Sequence, residues 1–306
     1  MSTPLKVATY NVHSCVGSDW KYSPARVAST LAALGSDLIA LQEIEANDEF
    51  QQTRLWSEAH HDDQPELLRS LSGMKHVRFA KCINCIATGT LSNGKEKHNK
   101  PECKGRFGVA ILSNLDILDE RTLVFKKYKK KTFRNVLAVK VEFNNTPLWF
   151  LCTHLGCHSG PEQHAQSLEL AEFIKELSAD GTPVLLAGDT NSPPWFAAMR
   201  HLRNSVPMVD TWASANACDC STTFPALGLP CCYSWTCCPP MLKLDHIYAT
   251  QTSQVTCVGT RVHVNGDSEG GGSEAVDLQA SDHRPLSAMF NVRPGVEVAD
   301  VNVIER

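Results

Sequence analysis

The feature that most constrains this sequence is a series of short apolar runs that each stop abruptly at a polar side chain. Asp37–Gln42 (DLIALQ) and Pro183–Ala187 (PVLLA) are apolar on both faces, which is typical of strands buried in the middle of a sheet. Six runs end in this way, at Asn11, Gln42–Glu43, His154, Asp189–Asn191, Asp245–His246 and Asp282–His283. Because α/β folds hold functional groups at the ends of core strands, these ends indicate a candidate catalytic site.

Helices are predicted between some of these strands. Pro24–Leu34 follows the candidate N-cap Ser23 and is closed by Gly35, and Pro161–Leu177 carries apolar residues at helical spacing. The other predicted strands are, in chain order, Lys6–Asn11, Gly108–Ser113, Asn135–Phe143, Leu148–Thr153, Leu244–Thr250, Val255–Val264 and Pro285–Val292. Two helices among hairpin-like strand pairs favour a layered α/β sandwich over a regular βαβ array.

Composition excludes several classes of protein. With 306 residues and 42% hydrophobic side chains, the chain can bury a large core and is not intrinsically disordered. No run approaches the roughly 18 apolar residues of a membrane-spanning helix. The 13 cysteines, and an N-terminus without an apolar signal segment, lead us to expect an intracellular location in the cytoplasm or nucleus. A net charge of −4 gives no overall attraction to nucleic acid.

The side chains at the strand ends share a chemistry. Asn, Glu and Asp are oxygen ligands that suit a hard cation such as Mg²⁺ or Mn²⁺. Histidines with nearby carboxylates supply acid–base groups or positive charge against phosphate. Any one of these residues alone is explained more simply as a helix cap or a turn residue. Six strand ends of the right chemical types in one chain favour a catalytic site.

The motifs also occur in a specific order along the chain, which is Tyr10-Asn11, Leu41-Gln42-Glu43, Thr153-His154-Leu155, Gly188-Asp189-Thr190-Asn191, Leu244-Asp245-His246 and Ser281-Asp282-His283. In the order of these motifs the sequence resembles the endonuclease/exonuclease/phosphatase (DNase I-like) superfamily over about Val7 to Phe290. The resemblance implies an α/β fold, a two-sheet sandwich flanked by helices in a DNase I-like four-layer α/β/β/α arrangement. We expect one domain over residues 1–294, with cysteine-rich insertions at about 82–105 and 214–240, and a tail at 295–306.

The resemblance further implies a site for Mg²⁺ or Mn²⁺. Glu43 resembles the main carboxylate ligand, Asn11 lies close to it, and Asp282 lies at or near the metal. Many nuclease members carry an acidic residue two positions after the Asn of the first motif, where this chain has His13. That difference leaves the second-metal or phosphate arrangement open. Arg106, just before the strand GVAILS, is either a substrate contact or a surface arginine.

Five further residues take catalytic roles by the same resemblance. Asp189 resembles the residue that orients or deprotonates the attacking water, and Asn191 resembles a contact to the scissile phosphate. His283 resembles the histidine that binds a phosphate oxygen or assists the water, with Asp245 as its orienting partner. His154 resembles the second histidine of the nuclease and sphingomyelinase branches. Such groups suit phosphoester hydrolysis because they stabilise charge on phosphate oxygens while a carboxylate aligns water.

Two cysteine clusters and one basic run remain open. Cys82, Cys85, His98 and Cys103 have the spacing of a structural Zn²⁺ site, but few apolar residues surround them, so free thiols or a redox pair are alternatives. The second cluster, between Cys218 and Cys238, matches no metal signature. The basic run Lys126–Lys131 either receives a polyanion backbone or is a solvated hairpin edge.

Three functions follow from the sequence. We favour a Mg²⁺-dependent phosphodiesterase or nuclease, with nucleic acid preferred to a lipid headgroup as substrate. The alternative within the superfamily is a phosphatase, or a hydrolase acting on inositol phosphates or phospholipids, which would need more basic residues around the site. The third is a non-catalytic zinc-binding scaffold, which predicts loss of site residues. That loss is not seen.

Overall fold

The apolar runs pair into two sheets in the structure, a computed structural model that describes residues 3–46, 62–83, 106–126, 134–157, 159–215, 222–224, 243–270 and 273–294. The strands are β1 (Leu5–Asn11), β2 (Leu38–Ala46), β3 (His76–Ile83), β4 (Arg106–Ser113), β5 (Ile117–Val124), β6 (Asn135–Phe143), β7 (Thr146–His154), β8 (Val184–Asp189), β9 (Met208–Asp210), β10 (Asp245–Thr250), β11 (Val255–Val262) and β12 (Leu286–Val292). The helices are α1 (Pro24–Ala33), α2 (Gln64–Ser72), α3 (Gly160–Leu177), α4 (Ala197–Ser205) and α5 (Thr211–Ala215), and a single 3₁₀ turn spans His13–Cys15.

Each sheet is mixed and has six strands among the described residues. Sheet one has the order β11-β12-β1-β2-β4-β3, and sheet two has the order β5-β6-β7-β8-β10-β9. The pairs β1/β2 and β7/β8 are parallel, so each pair brings two carboxyl ends to the same edge. Strands β12 and β10 run antiparallel to β1 and β8, so their amino ends arrive at those same edges.

Alternation along β2 shows how the layers are built. Leu38 and Ala40 point between the two sheets, whereas Ile39 and Leu41 point outward beneath α1 and α2. Helices α3 and α4 cover the outer face of sheet two in the same way. The order of layers is therefore α/β/β/α, and the predicted DNase I-like sandwich is confirmed. None of the helices in the described ranges is both long enough and apolar enough to span a bilayer.

Side-chain caps explain where two helices begin. Ser159 accepts a hydrogen bond from the Glu162 backbone N–H at the start of α3, and Pro161 occupies the first turn. Asp63 caps α2 in the same way, by accepting from the Glu66 backbone N–H. Gly73 then ends α2 with a φ of 76°, a left-handed conformation that glycine adopts without strain.

All the predicted strands and helices are present, and their ends differ from the predicted ones by at most four residues. The sequence reading missed α2, β3, β5, α4, β9 and α5. For α2 the signals were in the sequence, because Asp63, Pro65 and Gly73 are a cap, a first-turn proline and a terminating glycine. Strand β5 has no such signal, since it is a largely exposed edge strand with charged side chains.

The approximate bounds of the two predicted insertions overlap elements of the structure. Cys82 and Ile83 belong to β3, and residues up to Ala215 belong to α5. Residues 84–105 and most of 216–242 lie outside the described residues, as do residues 127–133, which include all of the basic run except Lys126, and the tail from 295. The predicted domain limits therefore stay predictions.

Candidate active site

Three polar strand ends lie side by side in sheet two. His154, the last residue of β7, pairs with Asp189, the last residue of β8, and Asp189 pairs in turn with Asp245, the first residue of β10. All three side chains are nearly fully buried. The apolar sequence of each strand specifies the register of the sheet, and this register places the three functional groups in one row.

Asp189 lies at the centre of the site. Its Oδ2 accepts a hydrogen bond from Asn11 Nδ2 at 3.0 Å, which joins the end of β1 in sheet one to the end of β8 in sheet two. Its Oδ1 accepts from the Asn191 backbone N–H at 2.8 Å. The Nε2 atoms of His154 and His283 lie 3.5 and 3.8 Å from Oδ2. Two imidazoles and one amide therefore converge on one buried carboxylate.

Burial and the charge of Asp245 raise the pKa of Asp189 to about 7, against the lowering effects of His283 and of two hydrogen bonds. A carboxylate in this environment exchanges a proton near neutral pH. That property suits a group that takes a proton from water.

His283 and Asp245 form the tightest side-chain pair of the site. His283 Nδ1 lies 2.8 Å from Asp245 Oδ2, so Nδ1–H donates to the carboxylate and Nε2 is turned toward Asp189. Burial by itself lowers the pKa of His283, but the adjacent Asp245 outweighs it, and the pKa is raised to about 10. His283 accordingly carries a positive charge at neutral pH.

Asn191 links the loop after β8 to β7. Its Nδ2 donates to Leu155 O at 3.1 Å and lies 3.0 Å from His154 Nε2. Gln163 of α3 donates to the Asn191 carbonyl and so ties the loop to α3. Asn191 has a φ of 48°, a left-handed conformation that is uncommon for a residue other than glycine. Such strain, of about 1–3 kcal/mol, persists where the surrounding contacts hold the backbone in place.

Glu43 and Asn11 form the part of the site contributed by sheet one. A bulge interrupts the pairing of β2 with β4 between Leu41 and Ile44, and Glu43 has a φ of 57° within it. Asn11 Nδ2 lies 3.5 Å from Glu43 Oε1, and Asn11 Oδ1 accepts from the His13 backbone N–H at 3.0 Å. The amide oxygen of Asn11 is thereby occupied, so its NH₂ group faces the carboxylates.

His13 and Asp282 lie on the outer side of Asn11. His13 Nε2 is 3.7 Å from Asp282 Oδ2, and the two side chains are 15% and 31% exposed. Ser281, which precedes Asp282, donates its hydroxyl to the Asn11 carbonyl at 2.7 Å and so fixes this loop to the end of β1. The loop between Ser281 and β12 carries both Asp282 and His283, which places one in each half of the site.

Thr223 and Phe224 are site residues that the sequence reading did not identify. Thr223 Oγ1 accepts from the backbone N–H of Leu244 and of Asp245, each at 3.1 Å, and its carbonyl accepts from Arg284 N–H at 2.8 Å. The Phe224 ring lies 4.9 Å from the His283 ring. This short segment joins the two chain segments that carry Asp245 and His283. A threonine and a phenylalanine in a cysteine-rich stretch gave no signal for it.

Arg106 lies at the start of β4, opposite Ala46 and three residues beyond Glu43 along β2. Its guanidinium lies over the Phe79 ring and 3.8 Å from Asp63. A substrate contact for Arg106 therefore stays a prediction. Of the predicted zinc ligands, Cys82 lies in β3 with its thiol donating to Phe107 O, whereas Cys85, His98 and Cys103 lie outside the described residues.

The donor set of the site fits a divalent cation. Four carboxylates, those of Glu43, Asp189, Asp245 and Asp282, are gathered within this network, and Asp245 Oδ1 is buried without a hydrogen-bond partner in the described part of the chain. Asp189, Asp245 and His283 offer ligand atoms within 4.8 Å of one another. Most of those atoms already bond to His283, Asn11 or Asn191, whereas Glu43 and Asp282 are more exposed.

Residues 8–283 match the sequence pattern described as the Endonuclease/Exonuclease/phosphatase family. The chain belongs to this family. Family members are in general metal-dependent hydrolases of phosphoester bonds, and the predicted superfamily membership is confirmed. No match was found among the curated proteins.

Solved structures of the family share the fold. An endonuclease/exonuclease/phosphatase from Beutenbergia cavernae DSM 12333 superposes with a TM-score of 0.71 at 19% identity, over 95% of this chain and 72% of that one. The human Nocturnin catalytic domain with a bound sulfate anion gives 0.65 at 16% identity, over 96% of both chains. The mannosyl-6-phosphatase Bt3783 of Bacteroides thetaiotaomicron VPI-5482 gives 0.60 at 15% identity, over 94% of this chain and 99% of that one. At these identities the likeness shows the fold and leaves the substrate open.

Proposed function

We propose that the protein is a metal-dependent phosphodiesterase, with a nucleic-acid strand or a nucleotide-like diester as substrate. One observation carries the proposal. The buried Asp189 carboxylate faces Asn11, His154 and His283 within 3.8 Å, and these four residues come from separate segments of the chain. A carboxylate surrounded by two imidazoles and an amide is the group that a water molecule and a phosphate would meet together.

The roles follow from the contacts. Asp189 orients the attacking water and accepts its proton, because the two imidazoles and the Asn11 amide converge on its Oδ2. The charged His283 stabilises the negative charge that develops on a phosphate oxygen, and Asp245 holds its ring in place through Nδ1. Asn191 and His154, whose side-chain nitrogens lie 3.0 Å apart, contact the phosphate from sheet two.

A divalent cation such as Mg²⁺ or Mn²⁺, held by Glu43 and Asp282, would supply Lewis-acid stabilisation of the phosphate oxygens when bound. Asn11 would act beside it as a hydrogen-bond donor to Glu43 and Asp189 rather than as a ligand. A ligand role for Asn11 would require its amide to turn and to lose the bond from the His13 N–H. Together these residues provide the components that water attack on a phosphoester needs.

The charge of the site favours a diester over a monoester. The described part of the site contains four carboxylates, and the nearby Arg106 lies beside Asp63. A phosphomonoester carries close to two negative charges at neutral pH, whereas a diester carries one, so the diester needs less positive charge around it. The mannosyl-6-phosphatase among the solved relatives keeps a monoester as the alternative substrate.

Exposed aromatic rings support a substrate with bases. Trp20 is 57% exposed, and its ring lies 6.4 Å from the ring of His13. Trp195 and Phe196, which follow the Asn191 loop, are 39% and 41% exposed. Aromatic side chains beside a phosphate site stack on nucleic-acid bases irrespective of sequence.

Hydrolysis of two synthetic substrates tests the proposal. We expect metal-dependent cleavage of bis-p-nitrophenyl phosphate that exceeds cleavage of p-nitrophenyl phosphate, that stops with EDTA, and that falls by roughly 100-fold or more in Asp189→Ala because the water loses its base. The control is Asp116→Ala, which removes an almost fully exposed carboxylate at the far end of the sheet. Undiminished turnover in a folded Asp189→Ala protein would refute the assignment. Cleavage of the monoester alone would move the function to a phosphatase.

The preference for nucleic acid is tested with Trp20→Ala and single-stranded oligonucleotides. Stacking on one base contributes about 1–3 kcal/mol, so KM for the oligonucleotide is expected to rise by about 5- to 150-fold. KM for bis-p-nitrophenyl phosphate should change much less, and Trp20→Phe should restore most of the affinity. Equal effects on both substrates would remove the support that the aromatic rings give to nucleic acid.

A further inference from the structure

Two loops of the site converge on one arginine in the first turn of α1. Residues 17–21, which we call the aromatic loop, follow the 3₁₀ turn and carry Trp20. Residues 277–283, which we call the histidine loop, carry Asp282 and His283. The side chain of Arg26 lies between the two loops and forms ion pairs with both of them.

The guanidinium of Arg26 contacts both loops at once. Its Nη1 donates to Asp19 Oδ2 at 2.8 Å and its Nη2 lies 3.4 Å from Asp19 Oδ1, so two nitrogens bind the aromatic loop. In the histidine loop, Nη2 also donates to the Gln279 carbonyl oxygen, and Nε lies 3.3 Å from Asp277 Oδ2. A planar group with five N–H donors can make these contacts together, whereas the single ammonium group of a lysine cannot.

The two loops also approach each other directly. The Ser18 backbone N–H donates to the Gln279 carbonyl at 3.0 Å, so the oxygen that accepts from Arg26 accepts from the aromatic loop as well. Gly17 lies at this contact, where a Cβ atom would collide with the Gln279 carbonyl oxygen and with the Arg26 guanidinium. The close approach of the loops therefore depends on glycine at this position.

The aromatic loop is a tight turn that presents Trp20 beside the site. The Trp20 N–H donates to the Gly17 carbonyl at 2.8 Å, and the Gly17 N–H donates to the Lys21 carbonyl at 2.9 Å. Trp20 has a φ of 62°, a left-handed conformation that persists where surrounding contacts hold the backbone. Its ring lies 6.4 Å from the ring of His13, which in turn lies 3.7 Å from Asp282 of the histidine loop.

The histidine loop is fixed at both of its ends. The Asp277 N–H donates to Thr30 Oγ1 of α1 at 3.1 Å, and the Ser281 hydroxyl donates to the Asn11 carbonyl at the end of β1. Arg26 binds the part between these two anchors. The contacts of Arg26 therefore connect the aromatic loop to a segment that is already held against α1 and β1.

We propose that Arg26 is a positioning residue that sets the distance between the Trp20 ring and His283, so that a base stacks on Trp20 while the adjacent phosphate lies at His283. Arg26 acts through the two loops and not on the substrate. The inference rests on the proposed function. It deepens that function, because the substrate then needs a base next to the scissile phosphate.

Steady-state kinetics of Arg26→Lys on two substrates test this role. The ion pairs of Arg26 are partly exposed, so their loss should cost little stability and the variant should fold. We expect KM for a single-stranded oligonucleotide to rise by roughly 5- to 20-fold, as part of the stacking on Trp20 is lost. KM for bis-p-nitrophenyl phosphate should change far less, and equal changes in both KM values would overturn the proposal.

The matched control is Arg69→Lys. Arg69 also bonds to one carboxylate, that of Glu66, and to one backbone carbonyl, that of Met74. It lies at the other end of sheet one, close to the start of β3, so both KM values should stay at their wild-type level.

A double variant separates positioning from a general structural role. If Arg26 acts through Trp20, Arg26→Lys should add little to KM for the oligonucleotide once Trp20→Ala is present, because coupled residues are not additive. Effects that multiply in the double variant would overturn the proposal. Gly17→Ala pushes the same loops apart without a change of charge, and it should raise KM for the oligonucleotide as Arg26→Lys does. A wild-type KM in Gly17→Ala would count against the proposal in the same way.

The position of Trp20 can also be measured without substrate, which separates this inference from the proposed function. In protein labelled with 5-fluorotryptophan, the ¹⁹F resonance of Trp20, assigned with Trp20→Phe, should shift or broaden in Arg26→Lys, whereas that of the buried Trp149 should not. An unchanged Trp20 resonance would overturn the inference, and cleavage of bis-p-nitrophenyl phosphate by the same protein would leave the function standing. A shifted resonance in a protein that cleaves no phosphoester would confirm that Arg26 fixes the loop and would refute the function.

Discussion

Two histidine–aspartate pairs lie in the same site, and they differ in separation, in exposure and in the ring nitrogen that faces the carboxylate. His283 and Asp245, in the half supported by sheet two, are buried and 2.8 Å apart. His13 and Asp282, in the half supported by sheet one, are partly exposed and 3.7 Å apart. In the first pair the carboxylate accepts from Nδ1, whereas in the second Nδ1 is bound to a backbone carbonyl and Nε2 faces the carboxylate.

The difference teaches that neighbouring pairs of the same composition can have different tasks. The close, buried pair fixes a charged imidazole, because Asp245 raises the pKa of His283 against the effect of burial. The looser pair leaves room between Nε2 and the carboxylate for a third partner. The two pairs therefore differ in how firmly the imidazole is held.

The largest expected effect comes from breaking the close pair. Asp245→Asn removes the negative charge that holds the His283 ring, so kcat is expected to fall by roughly 100-fold while KM changes little. Steady-state kinetics on bis-p-nitrophenyl phosphate measure this. The matched control is Asp210→Asn on the neighbouring strand, where asparagine can still cap α5. If Asp245→Asn keeps wild-type kcat, the two pairs do not differ in the way we describe.

A smaller effect is expected at the segment that supports the close pair. Phe224→Leu removes the ring that packs on His283, and kcat is expected to fall by about three- to tenfold because the imidazole loses part of its orientation. Phe224→Tyr keeps the ring and should restore most of the activity. A rise in KM without a fall in kcat would instead assign Phe224 to substrate binding.

The smallest effect is expected at a third histidine–aspartate pair, outside the site. In this pair burial changes the pKa of the histidine more than the neighbouring carboxylate does. His263 is fully buried, its Nδ1 lies 3.5 Å from Asp267, and its Nε2 lies 2.8 Å from Ser287 Oγ. Here burial lowers the pKa, helped by Arg261 and opposed by Glu269 and Asp267. The neutral form is favoured in the fold, so its contribution to stability is present above pH 6.5 and is lost as the pH falls through the lower folded-state pKa.

Urea unfolding at pH 7.5 and 5.5 measures this contribution. The wild type should lose more unfolding free energy between the two pH values than His263→Gln, even if the variant is less stable at both. An equal loss in the two proteins would show that His263 does not titrate on unfolding, and that a carboxylate 3.5 Å away is enough to offset burial.

Much of the site could be predicted from the sequence because it is built on strand ends. The ends of β7, β8 and β10 are marked by apolar runs, and strand register alone then places His154, Asp189 and Asp245 in one row. The Thr223–Phe224 segment could not be predicted in this way. Its contacts with Leu244, Asp245, His283 and Arg284 join residues that are 21 to 61 positions apart in a stretch without periodicity.

The sequence by itself predicted the sandwich, because alternating and continuous apolar runs specify which strand faces are buried. The order of its polar motifs identified the family. One predicted strand end was wrong, since β2 continues past Gln42 and Glu43 to Ala46. Only the tertiary structure decided how each side chain is turned. The Asn11 amide presents nitrogen instead of oxygen to the carboxylates because the His13 N–H occupies its oxygen, and Nε2 of His13 is directed outward because the Val16 carbonyl binds Nδ1. These choices depend on single hydrogen bonds in a strained turn, and hydrophobic patterning carries no information about them.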